Sequence, residues 1–119
     1  MSLETDIVAV MKVWCPRVYP GTAPLNTPRP FVTWEHIGGD PLRYLDGTAA
    51  AQRHALVQVN VWAAGKAEAW NLALQLETAL TTSMAFTARP VGAARGRTEQ
   101  DVEPWLYGAE QEFEILGTR

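Results

Sequence analysis

Apolar residues recur at helical spacing near the start of the chain, where Leu3, Ile7, Val10, Met11 and Trp14 share one side of a helix drawn over residues 3–14. Ser2 stands ahead of it as an N-cap, and Glu4 and Asp6 suit the positive end of its dipole. Cys15-Pro16 ends it, because proline pushes the residue before it out of helical geometry and has no N–H to donate. From 19 to 30 the chain carries Pro20, Gly21, Pro24, Asn26, Pro28 and Pro30, a density that predicts a loop without regular structure. The pattern then shifts to β. Residues 31–37 are aromatic and β-branched between Pro30 and Gly38-Gly39, a second short strand is expected around 42–45, and Asp46-Gly47 reads as a turn. Residues 52–63 form its longer partner, with Val57, Val59 and Val61 on one face and Gln58, Asn60 and Trp62 on the other.

After Gly65 the period returns to that of a helix. Ala69, Leu72, Ala73, Leu76, Ala79 and Leu80 make one stripe over residues 66–82, with Glu68, Asn71, Gln75 and Glu77 elsewhere. Strand character reappears over 86–91, inside a long connection spanning 83–104, and again over 104–116. In that last strand Trp105, Tyr107, Ala109, Gln111, Phe113 and Ile115 alternate with Leu106, Gly108, Glu110, Glu112 and Glu114. The order helix, strands, helix, strands predicts an α+β fold with two helices packed on a mostly antiparallel sheet. At 119 residues the expectation is one domain over 1–119.

Composition narrows the classes. With 47% hydrophobic and 19% charged residues the chain has apolar material for a core and does not read as disordered. A net charge of −3 and pI near 5.3 argue against a general or sequence-specific nucleic-acid binder. No run approaches the roughly 20 apolar residues of a membrane span, and the first residues lack a basic leader followed by an apolar stretch. A soluble chain made in the cytosol is therefore the expectation. Cys15 is the single cysteine, so no disulfide forms within the chain, and at the junction of an apolar helix and a proline it reads as a small buried hydrophobe rather than a nucleophile. His36, His54 and Cys15 lie on different elements, which gives no metal site at sequence level, and no phosphate-loop, dinucleotide or nucleophile-elbow motif occurs. No cofactor and no catalytic residue are expected. Of the five tryptophans, Trp14, Trp34, Trp62, Trp70 and Trp105, most are assigned to the core and some to interfaces.

Charge is unevenly spread. Arg89, Arg95 and Arg97 fall close together, and Glu99, Asp101, Glu103, Glu110, Glu112 and Glu114 follow with no Lys or Arg among them. Two readings stand: a pair of complementary patches that orient neighbours in an oligomer, or a solvated loop beside a solvated strand face. Glu110, Glu112 and Glu114 share one side of a strand with no partner evident in the sequence.

Several segments, taken in order, resemble the small phage tail-completion or tail-terminator proteins. They are the helix beginning Leu3-Glu4, the stretch Arg17 to Pro20 with Ala23-Pro24, and Pro30 to Trp34 leading into Ile37-Gly38. Leu45 to Gly47, the strand Val57 to Ala63 and the helix entered through Lys66 to Ala69 complete the set. Asn60 stands where that family usually has an acidic residue. The resemblance implies a non-enzymatic α+β subunit that forms a hexameric ring on the head-proximal end of the tail tube, stops its polymerisation and meets the head connector. Its implied partners are copies of itself, the tail-tube protein and head connector proteins. It would be found in the host cytoplasm during assembly and then in the virion tail. A ring needs two different complementary patches on each subunit, and Arg89, Arg95, Arg97, Glu99, Asp101, Glu110, Glu112 and Glu114 are the candidate contacts. Loops 19–30 and 83–104 are the candidates for docking onto tube or connector. Other readings left open are another head–tail joining or neck protein, a small enzyme whose site is assembled only by folding, and a host regulatory domain of prophage origin.

Overall fold

A computed structural model describes residues 2–43, 45–48, 50–99 and 105–118. Helix α1 runs over Leu3–Lys12, with the Ser2 hydroxyl accepting the Thr5 N–H at 3.2 Å. Leu3, Ile7 and Met11, one turn apart, are its buried stripe. It stops two residues earlier than periodicity predicts, because the N–H groups of Trp14 and Cys15 both turn back onto the Met11 carbonyl and leave Trp14 half exposed. Cys15 is fully buried, its Sγ facing the carbonyls of Arg17 and Pro30.

Strand β1, Val18–Pro20, was not expected within a proline-rich loop. It pairs in parallel with β2, Phe31–Gly38, matching Val18 to Val32 and Pro20 to Trp34. Proline is tolerated because β1 is an edge strand. The Arg17 carbonyl and the Gly21 N–H make the ladder contacts on either side, which leaves the Pro20 nitrogen on the free edge. Of the strand expected at 42–45, the described residues Leu42, Arg43 and Leu45 form none. Only an isolated bridge at Arg43 and the bond from the Ala50 N–H to the Leu42 carbonyl mark an arm between β2 and β3, Gln52–Ala63. Helix α2, Lys66–Thr81, is followed by β4, Phe86–Pro90, β5, Arg95–Glu99, and β6, Leu106–Thr118.

The six strands form one sheet in the order β1-β2-β3-β6-β4, with β5 also on β6. All pairings except β1–β2 are antiparallel. The fold is α+β, as the pattern predicts. β4 and β5 share one edge of β6: Pro90 pairs with Phe113 and Arg95 with Glu110, so residues 91–94 bulge opposite Gln111 and Glu112. Strand β5 had been hidden in the connection 83–104, since Arg-Gly-Arg-Thr-Glu carries no apolar alternation. Buried Gln111 holds this break together, its Nε2 donating to the Gly92 carbonyl at 2.8 Å and to Glu77 Oε1 on α2 at 2.6 Å.

The core lies between the helices and one sheet face. Val57, Val59 and Val61 of β3 and Ala109, Phe113 and Ile115 of β6 meet Ala69, Leu72, Ala73, Leu76 and Leu80 of α2. The small alanines let α2 lie close. The assignment of most tryptophans to the core is corrected: Trp34 is buried and Trp62 partly so, whereas Trp14, Trp70 and Trp105 are each more than 40% exposed. The three exposed ones lie outside the stripes that face the sheet. The long axis of 54 Å against 25 and 24 Å, and a radius of gyration of 15.1 Å against the roughly 13.5 Å of a compact chain this size, reflect the twelve and thirteen residues of β3 and β6, which make the sheet long in one direction.

Candidate assembly surface

Alternation along β3, β5 and β6 places one set of side chains on the sheet face that no helix covers. Here the arginines and glutamates that the sequence separates come together. Glu114 takes a hydrogen bond from Arg89 Nη2 and another from His54 Nε2 at 2.8 Å. Arg95 Nε donates to Glu110 Oε1 at 3.3 Å, and its Nη2 lies 3.9 Å from Glu112. Arg97 reaches Glu110 Oε2 at 3.4 Å and Glu99 Oε1 at 3.0 Å, with its guanidinium 5.5 Å over the Trp62 ring. Gln58 Nε2 joins Glu110 to Asn60 at 3.0 Å each. Glu110, Glu112 and Glu114 do share one side of β6, and the partners the sequence did not reveal are these arginines. Asp101 lies outside the described residues.

The cause is register. β4 and β5 run antiparallel to β6, so Arg89 falls opposite Glu114 and Arg95 opposite Glu110. Three arginines face four glutamates, which makes the ladder nearly neutral. Exposed pairs of this kind each contribute only about 0.2–1 kcal/mol. The Glu114 carboxyl is held below its ordinary range by the Arg89 hydrogen bond first and the His54 bond next. His54 is fixed in one tautomer: the Asp40 N–H donates to its Nδ1 at 2.8 Å, so the ring proton sits on Nε2, toward Glu114. His36 is on the helix side, half exposed, 3.3 Å from Glu4, which also binds Arg53 at 2.6 Å.

Two grooves flank the sheet. One, of about 620 Å³, lies between α2 and β5 and is lined by Lys66, Ala67, Trp70, Asn71, Gly96, Arg97, Thr98 and Gly108. The other, of about 600 Å³, lies where loop 21–27 crosses the helix-free face over Phe31, Thr33, Asn60 and Trp62. Neither has a histidine or carboxylate among its described lining residues. No cluster of three or more metal-ligating side chains is formed among the described residues, and no helix is long and apolar enough to cross a membrane.

These features define a small α+β fold, with one sheet face under two helices and the other carrying a ladder of paired charges. The chain belongs to the Tail completion protein gp17 family, whose model matches residues 5–117. Its role is accordingly in the completion of a phage tail, among tail or head components. No match is found among curated proteins.

Proposed function

We propose that the protein is a tail terminator: copies close into a ring, hexameric by the resemblance, on the head-proximal end of the tail tube, halt its growth and present a surface to the head connector, without catalysis. The observation that carries this reading is the family match over residues 5–117. Ring closure by head-to-tail contacts requires two unlike surfaces on each subunit, and the two sheet edges are unlike. One is the three-residue parallel strand β1, the other the interrupted β4–β5 edge.

The test is to add purified protein to tail tubes, image them by electron microscopy and measure mass in solution across concentration. A ring at one tube end is the expected result. A chain that associates neither with itself nor with tubes would sink the reading, and decoration of the connector alone would make it another joining protein.

The ladder residues Arg89, Arg95, Arg97, Glu99, Glu110, Glu112 and Glu114 are proposed as ring contacts. Each arginine already has an acidic partner in its own chain, so reversing Arg95 and Arg97 to Glu also disturbs β5. Adding Glu99→Arg and Glu110→Arg restores opposite charges within the chain. If neighbours use the ladder, light scattering finds assembly lost in the first variant and recovered in the second, whose charges are complementary again between copies as well as within each. Unchanged assembly in the first variant would remove the ladder from the ring contacts. Loop 19–30 is proposed to dock on tube or connector, and deleting residues 22–27 should abolish tail joining.

A further inference from the structure

Two surface features stand at opposite ends of the sheet. The arm leaves β2 at Gly38 and enters β3 at Gln52, while the α2–β5 groove sits beyond Ala63, at the other end of β3. The twelve residues of β3 at about 3.3 Å each separate the two ends by roughly 40 Å.

At the arm's tip Leu45 is wholly exposed, with no cover from its own chain. Beside it Asp46 folds a preformed turn, its Oδ1 accepting from the Thr48 N–H at 3.0 Å and the Thr48 hydroxyl at 2.7 Å, with Gly47 at φ +90°. No cation faces Asp46 among the described residues. The groove has the complementary pair. Ala67, Trp70 and Leu74 form an exposed apolar stripe along α2, and Lys66 at its mouth meets only the Tyr107 ring, 5.9 Å away, with no carboxylate partner among the described residues.

We propose that the arm tip of one copy seats in the α2–β5 groove of the next, Leu45 against Trp70 and Ala67, and Asp46 against Lys66. The contact joins unlike ends of identical chains, which is the heterologous geometry that closes rings. Its apolar centre and single charge pair give it register. A tip that is already turned loses little freedom on docking. The inference rests on the ring reading and names the surfaces that would build it.

The test uses the full chain with Leu45→Cys in one preparation and Ala67→Cys in another. Native Cys15 is buried, so it does not compete. Oxidised glutathione should link the mixed preparations into dimers containing one of each, and leave each preparation alone largely unlinked. In parallel, Leu45→Asp should weaken self-association about tenfold or more, as the loss of one buried leucine implies, with an unchanged melting temperature because Leu45 touches nothing in its own fold. If the unsubstituted chain associates while the mixture fails to cross-link above the single preparations, the arm–groove contact is overturned and the ring stands on other surfaces. If Leu45→Asp self-associates normally and only tube binding is lost, the arm belongs to the tube and the proposal again falls. A chain that forms no assembly, alone or on tubes, removes the ring reading and this contact with it.

Discussion

Gly39 sits where the arm leaves the sheet, and replacing it with alanine tests whether the arm's base is as tightly built as the structure has it. Its φ is +132°, a region that side chains rarely enter, and strain of that kind costs about 1–3 kcal/mol. Packing adds a second penalty. A Cβ there would lie 2.5 Å from the His54 carbonyl oxygen and 2.9 Å from the Ala55 Cα, both backbone of the central strand β3, where overpacking costs roughly 1–3 kcal/mol. Together these predict a loss of about 2–6 kcal/mol, a large part of the roughly 6–15 kcal/mol by which a chain of this size is stable. Gly21→Ala is the control, since its φ of +75° is also positive but nothing lies within 4 Å of the new Cβ. It should cost only about 1 kcal/mol. Urea titration of both variants, with the slope m unchanged, reads the difference directly. Equal losses in the two would refute the close approach of Gly39 to β3, and with it the anchoring of the arm through the Asp40 N–H on His54.

Further outcomes follow from the core, the acid side of stability and the bulge. Phe113→Ala, at a side chain 1% exposed in the middle of β6, should cost about 3–5 kcal/mol in urea unfolding; a loss below about 1 would mean the site collapses freely. For Glu4, burial raises the carboxyl's pKa, but its backbone hydrogen bond and Arg53 outweigh that and hold it below 4.5; Glu114 is lowered by Arg89 and then His54. Because both folded values are depressed, their stabilisation is present above the unfolded value and fades as pH falls through the lower folded one. Glu4→Gln with Glu114→Gln should thus flatten the loss of stability below about pH 4.5, and an unchanged acid limb would show that other groups govern it. Gln111→Met removes the donor to Gly92 and Glu77, so amide exchange across 91–94 should quicken while that of β3 does not; no change would deny Gln111 its hold on the bulge.

Periodicity was legible wherever one side of an element faces the core. Leu3, Ile7 and Met11, the valines of β3 and the odd positions of β6 all point where their spacing says, because burial of those residues is what holds the elements in place. It failed where a strand buries too few side chains to show alternation, only Val18 in β1 and none fully in β5. β1 exists because backbone groups of Arg17 and Gly21 bond to β2, and its proline hides on the free edge. β5 exists because β6 offers it an unpaired edge, and its residues are exposed apart from Glu99, which is partly buried. The opposite error, at Leu42, Arg43 and Leu45, has a related cause: a short segment ahead of a turn does not become a strand when it meets its neighbour only in a single bridge, at Arg43.

The charged residues carry this reasoning to the surface. In the sequence the arginines and glutamates lie in separate blocks, and separation along a chain invites a picture of one positive and one negative patch. A reversing sheet undoes that separation: antiparallel registration folds residues 89–97 back against 110–114, and the net field of each block largely cancels. Among the charges left without an ion pair, two lie at opposite ends of the molecule, Asp46 beside Leu45 on the arm and Lys66 beside Trp70 on α2. Long-range attraction between subunits must come from charges that their own chain leaves unanswered, since paired ones present little potential at the ~8 Å over which salt leaves any to be felt. A selective rise in assembly with falling ionic strength that survives neutralising Arg95 and Glu110 together, but is lost in Lys66→Gln, would locate the attraction at the ends. The reverse dependence would return it to the ladder.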